Sequence, residues 1–452
     1  MLASVLDSTL QDETRITMDP RAREAVNDVP PPAPSSSPAR RQDDVASPHD
    51  SVRVLKPRRA APADAVRPTR AEVNLAALRH NLRVVMRHAK DASGSRAPAH
   101  VWPVLKADGY GHGAPAVART LERAGAEGFC VALLEEAIEL RDAGIRAPIL
   151  VMGGFNASSR GACEEIAARD VVPVVYDVSQ IEGLARAARA MGRPVVAHLK
   201  VDTGMARLGV RMADLETFAA KLAHVPEVRI TGLMTHLACA DAEESSPESG
   251  FTAEQVAKFE EATRRLKRTG VVDDDTLRHA ANSAALLRGD AVFDAVRPGI
   301  AIFGVSPVLA AKNELRAAMR VRSEVVDVRT LEPGESVGYG ALHRATRTSR
   351  IATIPMGYAD GLSRHLSNRG HVLVRGRRAP VVGAVSMDMS MIDVTDIPGS
   401  CLGDEVVVLG AQEGVLGKDA ITADEVAAHG GTIAWEVLTS ISRRVPRFYR
   451  EP

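Results

Sequence analysis

Residues 101–144 read VWPVLKADGYGHGAPAVARTLERAGAEGFCVALLEEAIELRDAG. Two short runs rich in β-branched and apolar residues, VWPVLKA from Val101 and FCVALL from Phe129, are each followed by a stretch with the Ala, Glu, Arg and Leu content of an amphipathic helix. The second stretch ends on Gly144, a residue type that commonly terminates helices. The segment therefore predicts two successive strand–helix units.

The same alternation continues to about residue 312. Six further runs follow: PILVMGG from Pro148, VVPVVYD from Val171, VVAHLKVD from Val195, VRITGLMTH from Val228, LRHAANS from Leu277 and GIAIFG from Gly299. Strands that alternate with helices pair in parallel through right-handed crossovers. Eight such units predict an α/β fold, a (β/α)8 TIM-type barrel over residues 67–312. A doubly wound dinucleotide-binding sheet is disfavoured because no G-x-G-x-x-G motif follows the first strand.

Two other regions flank the predicted barrel. Residues 313–452 contain short alternating strands broken by Gly and Pro turns, and they predict a mostly β C-terminal domain. Residues 1–66 contain no aromatic residue and include the run PPPAPSSSPARR. Such a segment has too little apolar surface to offset its conformational entropy, so we predict a disordered N-terminal extension.

The composition excludes several classes of protein. The chain of 452 residues has 57 Lys and Arg and 57 Asp and Glu, so no net charge favours nucleic acid or an anionic membrane as a partner. No apolar run approaches the ~18 residues of a membrane-spanning helix. The four cysteines form no C-x-x-C pair, so we expect reduced thiols in a cytoplasm and no structural metal site.

Polar residues stand at the ends of the predicted strands, where barrel enzymes place their catalytic groups. These residues are Lys106, Lys200, His236, Asn282 and Ser283, and Arg297 directly precedes the predicted eighth strand. Lys106 ends the first strand. Desolvation there lowers the pKa of an amine and makes it a nucleophile for Schiff-base chemistry. Taken alone, Lys106 has an alternative interpretation as an ion-paired structural lysine.

A phosphate site is predicted at the same end of the barrel. Tyr110 follows Lys106 within the glycine-rich stretch LKADGYGHG. Barrels often bind phosphate in the loops after strands seven and eight, where Ser283 and the amides of Gly299 and Ile300 stand. A reactive lysine beside a phosphate-binding site at one end of a barrel is the combination that binds pyridoxal 5′-phosphate, so we predict this cofactor.

From Pro68 to its end the chain resembles the alanine racemases, pyridoxal-phosphate enzymes that consist of a barrel and a β domain. The motifs that carry the resemblance occur in the family's order and spacing: RPTRAEVNLAALRHNL, VLKADGYGHG, HLKVDTGMARLGV, MTHLACAD, NSAALL, RPGIAIFG, VGYG, PMGYADG, VSMDM and RVPRFY. The resemblance implies interconversion of L- and D-alanine, which supplies D-alanine for peptidoglycan. It also implies a homodimer with shared active sites.

The resemblance further implies roles for individual residues. Lys106 would hold the cofactor covalently and serve as one acid/base, and Tyr339 in VGYG would be the second base, reaching the site from the partner subunit. The substrate would contact Arg207 and the backbone amide of Met387, and Lys200 matches a lysine that is carbamylated in some members. The residues expected to contact the cofactor besides Lys106 are Tyr110, Arg207, His236, Asn282, Ser283, Arg297, Gly299 and Ile300.

Racemisation removes a proton from one face of a carbon and delivers another to the opposite face, and two bases, an amine and a phenol, satisfy this requirement. A phenol has an ordinary pKa near ~10, and a guanidinium such as Arg207 beside Tyr339 would lower it. Arg297 near the pyridine nitrogen would stay charged and would not protonate it as an Asp or Glu would. This disfavours a decarboxylase on the same barrel.

Three positions depart from the family pattern. Trp435 replaces the usual Tyr, Ala384 the usual Arg and Met389 the usual Gln, and Tyr358 in MGYADG completes the expected entrance with Trp435 and Ala384. Because these changes remove polar groups, a broader racemase acting on serine or other small amino acids is the nearest alternative. A non-catalytic pyridoxal-phosphate carrier is the alternative from another class, which the retained Tyr339 disfavours.

Overall fold

The computed structural model describes residues 66–158, 161–242, 246, 250–308 and 314–451. The predicted disordered extension, residues 1–66, lies outside the described residues except for Val66. Two large sheets organise the described chain, one parallel and one mostly antiparallel.

Eight strands of the parallel sheet form a barrel, and a ninth short strand, Val210–Arg211, pairs with Val195–Asp202 outside that order. In chain order these strands are His100–Val101, Phe129–Val131, Ile149–Val151, Val172–Val175, Val195–Asp202, Val228–Met234, Leu277–His279 and Ala295–Val296. The first strand pairs with the eighth, and an isolated parallel bridge from Val104 to Cys130 joins the first segment to the second strand. The sheet therefore closes on itself, and the prediction of a (β/α)8 barrel is confirmed.

Helices cover the outside of the barrel. They are Leu75–Ser93, Ala114–Arg123, Leu134–Asp142, Ala162–Ala168, Val178–Met191, Leu215–Leu222, Phe251–Arg268 and Ser283–Arg288. In the helix Phe251–Arg268, Phe259, Ala262 and Leu266 recur at the helical period and are buried. None of the helices in the described part of the chain has the length and apolar character needed to cross a membrane.

One strand assignment made from the sequence is wrong. The run GIAIFG from Gly299 is not a strand but forms the 3-10 helix Ile300–Phe303, and the eighth strand is the two-residue segment Ala295–Val296. All four residues of the 3-10 helix are buried. A short run that is apolar on every side cannot be distinguished from a buried strand by periodicity. Arg297 consequently follows the eighth strand and lies at the same end of the barrel as Lys106.

The second large sheet consists mainly of C-terminal residues. Its strands are Arg70–Asn74, Met319–Glu324, Asp327–Leu331, Ser349–Ile354, His371–Val374, Arg377–Val382, Ser390–Asp393, Glu405–Gly414, Gly417–Ile421 and Arg447–Arg450. A separate hairpin joins Ser336–Val337 to His343–Arg344, and the helices Ala423–Gly430 and Ala434–Ser440 follow. The mostly β character predicted for this region is confirmed.

The strand Arg70–Asn74 belongs to this second sheet although it precedes the barrel in the chain. It pairs antiparallel with Met319–Glu324 and parallel with Arg447–Arg450. The domain boundaries predicted at residues 66 and 312 remain predictions. This strand lies within the predicted barrel range of 67–312, yet it pairs with strands of the C-terminal region.

Candidate active site

Lys106 lies where the first barrel segment gives way to a left-handed turn. Residues 107–110 all have φ between +51° and +62°, a region that costs L-residues roughly 1–2 kcal/mol each. The N–H of Gly111 closes the turn on the carbonyl of Ala107 at 3.0 Å. The strained turn directs the chain from Lys106 to Tyr110 at the carboxyl end of the barrel, where strain commonly serves function.

The environment of Lys106 favours its neutral amine. Burial, followed by the positive charge of Arg207, lowers the pKa of Lys106, and the negative charge of Glu136 opposes this shift. A neutral amine is the nucleophilic form of lysine. The electrostatics thus support Schiff-base chemistry at this position.

Glu136 holds the backbone beside Lys106 and was missed in the sequence analysis. One carboxylate oxygen accepts the N–H of Ala107 at 2.6 Å, and the other accepts the N–H groups of Ala132 and Leu133 at 2.8 and 3.1 Å. The available signal was a glutamate at the third position of the helix that follows a strand, as in a capping box.

Tyr110, Ser283 and Gly299 come together at the barrel mouth. The Ser283 Oγ accepts the N–H groups of Gly299 at 2.9 Å and Ala301 at 3.3 Å. A Cβ atom on Gly299 would lie 2.4 Å from the phenolic oxygen of Tyr110, so only glycine leaves room for the phenol. Two hydroxyls and backbone N–H donors therefore converge where the phosphate site was predicted.

Asn282 and Ile300 shape the same region. The Asn282 side chain accepts the N–H groups of Ala284 and Ala285 at 3.0 and 3.1 Å and so caps the helix that begins at Ser283. Ile300 is buried as the first residue of the 3-10 helix after Gly299. The contacts of Asn282 and Ile300 with a cofactor remain predictions.

A buried chain of polar side chains fixes Arg297. Its Nη1 donates to Nδ1 of His279 at 2.6 Å, and its Nη2 donates to the carbonyls of Thr235 and Ala280 at 2.8 and 3.1 Å. Because arginine can only donate, Nδ1 of His279 accepts and its Nε2 donates to Nδ1 of His198 at 2.9 Å. Both imidazoles are therefore neutral.

His198 and His279, the two histidines hydrogen-bonded in series with Arg297, were not among the site residues predicted from the sequence. Burial, followed by the positive charge of Arg297, lowers the pKa of His198 to about 3 and that of His279 well below its usual range. His198 precedes Lys200 by two residues and shares its side of the strand, which was the available signal.

His236 and Lys200 stand at the ends of the sixth and fifth strands. Burial, followed by the charges of Arg297 and Arg207, lowers the pKa of His236 to about 3, so its ring is neutral. Burial and the same two guanidinium groups lower the pKa of Lys200 to about 8. Arg207 itself is exposed in the loop after the fifth strand. The structure thus brings these charges to one end of the barrel.

The other predicted residues lie in the β domain. Tyr339 is 72% exposed and opens the 3-10 helix Tyr339–Ala341. The N–H of Tyr358 donates to the carbonyl of Ser386, and that of Ala359 donates to the carbonyl of Met387, both at 3.0 Å. The MGYADG and VSMDM motifs are therefore hydrogen-bonded to each other.

Ala384 and Trp435 occupy different environments. Ala384 is buried, whereas Trp435 is half-buried on the helix Ala434–Ser440. This helix packs against the Lys106 turn, since a Cβ atom on Gly111 would lie 2.4 Å from the carbonyl oxygen of Leu438. The entrance roles assigned to Ala384, Trp435 and Tyr358 remain predictions.

These groups fit pyridoxal 5′-phosphate. The Nε of Arg297 is buried and, among the described residues, has no hydrogen-bond partner, so its N–H is available to a bound group. Lys106 would supply the amine, and Tyr110, Ser283 and Gly299, which meet at this end of the barrel, would supply donors for a phosphate. The fold and the site together define a pyridoxal-phosphate-dependent barrel enzyme with a C-terminal β domain.

Family models agree with this class and narrow it. The model of the alanine racemase N-terminal domain matches residues 73–307, and that of the alanine racemase C-terminal domain matches residues 318–449. The chain belongs to the alanine racemase family. The predicted family and cofactor are thereby confirmed, and the match to the C-terminal domain disfavours a carrier without that domain.

Individual relatives lead to the same family. The alanine racemase of Sorangium cellulosum (strain So ce56) is 61% identical over 389 residues, which cover 86% of this chain and 100% of that protein. The crystal structure of alanine racemase from D-cycloserine producing Streptomyces lavendulae has a TM-score of 0.77 at 33% identity and covers 86% of this chain and 98% of that one. Alanine racemase from Bartonella henselae, with covalently bound pyridoxal phosphate, has a TM-score of 0.72 at 30% identity and covers 85% of this chain and 99% of that one.

Proposed function

We propose that the chain interconverts L- and D-alanine as a homodimer in which Lys106 of one subunit and Tyr339 of the partner subunit are the two bases. The observation that carries this proposal is the exposure of Tyr339 in a groove lined only by residues between 326 and 391. Lys106 instead lies at the barrel mouth. A second base that approaches the opposite face of the substrate is then best supplied by a second copy of the chain.

The surroundings of Tyr339 support this arrangement. The groove has a volume of about 680 Å³. Tyr339 and Met389 line it, and Leu342 and Met387 add exposed apolar surface close to them in the sequence. Apolar surface concentrated on one face of a protein commonly marks an interface.

The cofactor and the residues around it have separate roles in the proposed reaction. Pyridoxal phosphate, when bound, supplies the electron sink that acidifies the α-hydrogen of the amino acid. The Lys106 amine and the Tyr339 phenol take and return a proton on opposite faces of that carbon. Arg207 would hydrogen-bond the Tyr339 phenol, and the amide of Met387 would bind the substrate carboxylate.

The cofactor itself would be held by groups already brought together. Tyr110, Ser283 and the backbone N–H groups of Gly299 and Ile300 would bind the phosphate, the neutral ring of His236 would lie against the pyridine, and Arg297 would face its nitrogen. Because Arg297 keeps its proton, it would donate a hydrogen bond to that nitrogen and would not protonate it as an Asp or Glu would.

Lys200 is proposed as a site of carbamylation. Its lowered pKa of about 8 leaves a fraction of the amine neutral near physiological pH. A neutral amine adds to carbon dioxide and releases one proton, which leaves a carbamate anion. That anion would replace a buried cation beside Arg207 and so relieve the repulsion between the two.

Mixed dimers test the two-subunit site. Lys106→Ala and Tyr339→Phe chains with different affinity tags are co-expressed, and the doubly tagged dimers are purified. Such a dimer has one site with both bases intact, so we expect about half the activity of the wild-type dimer, by the geometry of a two-fold interface. Each variant alone should be nearly inactive.

The same experiment can contradict the proposal. If Lys106 and Tyr339 of one chain formed a site together, both sites of the mixed dimer would be damaged and it would stay inactive. Retention of the visible cofactor absorbance by Lys106→Ala after desalting would contradict the covalent role of this lysine.

Substrate range is a separate question raised by Trp435 and Ala384. Circular dichroism of alanine and serine enantiomers during incubation with the enzyme separates a strict alanine racemase from a broader one. Comparable rates with serine would favour the broader activity.

A cytoplasmic location is part of the proposal, and the four free cysteines support it.

A further inference from the structure

Gln255 is a fully buried side chain between two loops of the barrel mouth. It lies in the first turns of the helix Phe251–Arg268. Its Oε1 accepts the N–H of Ala238 at 2.8 Å, and its Nε2 donates to the carbonyl of His236 at 3.1 Å and to Oγ1 of Thr203 at 3.3 Å. One amide therefore joins the loop after the sixth strand to the loop after the fifth.

Two further contacts strengthen this junction. The hydroxyl groups of Thr203 and Thr235 lie 2.8 Å apart and are hydrogen-bonded. A Cβ atom on Gly204 would lie 2.8 Å from the ring of Phe251, so the start of the helix is fitted closely to the loop after the fifth strand. The helix and both loops form one packed unit.

The two loops carry groups with proposed roles at the cofactor. His236 is the residue whose carbonyl Gln255 holds, and Arg207 lies four residues beyond Thr203. Gln255 fixes the backbone on both sides of Leu237, because it binds the carbonyl of His236 and the N–H of Ala238. Because this amide holds the peptide group that directly follows His236, the position of the backbone that carries the His236 ring depends on it.

We infer that Gln255 is a positioning residue that sets the His236 ring and the Arg207 loop for pyridoxal-phosphate binding. This inference rests on the proposed contact of His236 with the cofactor. Gln255 itself acts only through the backbone of the two loops.

The barrel contains a matched control. Gln180 is also buried, and its Oε1 accepts the N–H groups of Tyr176 and Asp177 at 2.9 and 3.1 Å. Its Nε2 donates to the carbonyl of Phe155 at 2.9 Å. Gln180 thus joins the loops after the third and fourth strands, which carry none of the predicted site residues. A Gln180 variant loses the same kind of bonds away from the cofactor.

Three variants of the full chain separate the possibilities. Gln255→Leu removes both the donor and the acceptor. Gln255→Glu keeps the acceptor for Ala238 but places a carboxylate oxygen against the carbonyl of His236, and protonation of that carboxylate restores a donor. Gln180→Leu reports the effect of losing a buried amide elsewhere in the barrel.

The readouts are the dissociation constant of pyridoxal phosphate from apoprotein and the visible circular dichroism of the bound cofactor. For Gln255→Leu we expect the dissociation constant to rise about tenfold, the size associated with losing buried hydrogen bonds, and the dichroic band to change. For Gln180→Leu both should stay near wild type although the unfolding temperature falls. For Gln255→Glu the dichroic band should return toward the wild-type shape as the pH is lowered.

Other results would refute either the cofactor site or the positioning role of Gln255. If wild-type protein binds no pyridoxal phosphate, the proposed site fails. If wild type binds it and Gln255→Leu binds it with the same affinity and the same dichroic band, the positioning role fails. Equal changes in the Gln255→Leu and Gln180→Leu proteins would also refute it, because they would reduce Gln255 to a general contributor to stability. If Gln255→Leu does not fold, a Gln255→Glu band that is unchanged from wild type at every pH refutes the positioning role instead.

Discussion

A carboxylate oxygen of Glu136 accepts the backbone N–H of Ala107 at 2.6 Å, and Ala107 is the residue that follows Lys106. The bond ties the helix after the second strand to the left-handed turn after the first. It also places a negative charge near the amine, which raises the pKa of Lys106 against the larger lowering by burial and Arg207. Glu136 therefore affects both the geometry and the charge of the lysine.

Replacing this charge should shift the titration of Lys106. In Glu136→Gln the opposing influence is lost, so the pKa of Lys106 falls further and the neutral amine persists to lower pH. The rate at which an amine-specific reagent modifies Lys106 in apoprotein, followed by mass spectrometry across pH, should have a lower midpoint than in wild type. The exposed neighbour provides a control, Glu135→Gln, which should leave the midpoint in place. A midpoint that rises in Glu136→Gln would contradict the assignment.

Gly299→Ala should disturb the phosphate cradle. The added methyl group would lie 2.4 Å from the Tyr110 oxygen, so the phenol must move away from the site. We expect the dissociation constant of pyridoxal phosphate to rise by about tenfold or more, as for loss of a hydrogen bond to a charged group. Gly250→Ala is the control, because no atom of the described residues lies within 4 Å of the atom that it adds. Equal affinities for the two variants would argue against Tyr110 as a phosphate ligand.

Lys200 should make stability depend on pH in a defined window. Its pKa is about 8 in the folded chain against 10.5 as the ordinary value, so between these limits the unfolded chain binds more protons and the free energy of unfolding rises with pH. In buffer free of carbon dioxide, wild type should gain on the order of 3 kcal/mol relative to Lys200→Met from pH 8 to 10.5. Below pH 8 the difference should be constant. Urea unfolding of both proteins measures it, and a difference that is flat across this range would refute the lowered pKa.

Asp360 should be important for stability. Its buried carboxylate accepts two hydrogen bonds from Arg67 at 2.7 and 3.0 Å, one from the N–H of Gly357 at 3.1 Å, and forms an ion pair with Arg444 at 3.2 Å. Asp360→Ala leaves Arg67 without its carboxylate partner, while Arg444 keeps Asp388 at 2.7 Å, and should cost about 2–4 kcal/mol of unfolding free energy.

An exposed ion pair is the control for Asp360. Asp396 pairs with Arg347 at 2.5 Å, and both side chains are largely exposed. Asp396→Ala should leave the free energy of unfolding close to that of wild type, because solvent and salt screen an exposed pair. Chemical denaturation measures the free energy of unfolding of both variants. A similar decrease in the two would contradict the prediction that burial makes the Asp360 ion pairs more stabilising than an exposed pair.

The barrel and the location of its site were predictable for a simple physical reason. Parallel strands buried on both faces read as apolar runs, and a charged residue at the end of such a run, such as Lys106 or Lys200, stands out against them. Since all strands of a barrel point the same way, their ends meet. The sequence order therefore indicates which polar residues gather at one mouth.

The residues that hold the site together were less predictable. Gln255 lies on a helix and Glu136 follows a strand end, and in a sequence both resemble ordinary surface positions. Their importance comes from loops that meet only in three dimensions. His279 likewise gains its role from Arg297, eighteen residues away along the chain. The run after Gly299 was misassigned because complete burial removes the periodic signal that separates helix from strand.

The strand Arg70–Asn74 has one neighbour, Arg447–Arg450, that follows every other strand of the described chain. During synthesis this neighbour leaves the ribosome after all the strands of the barrel. The β sheet can therefore be completed only once residue 450 has emerged, whereas the barrel strands are available much earlier. Until then the earlier strands of the sheet keep an unpaired edge, and removal of Arg447–Arg450 would leave that edge open permanently.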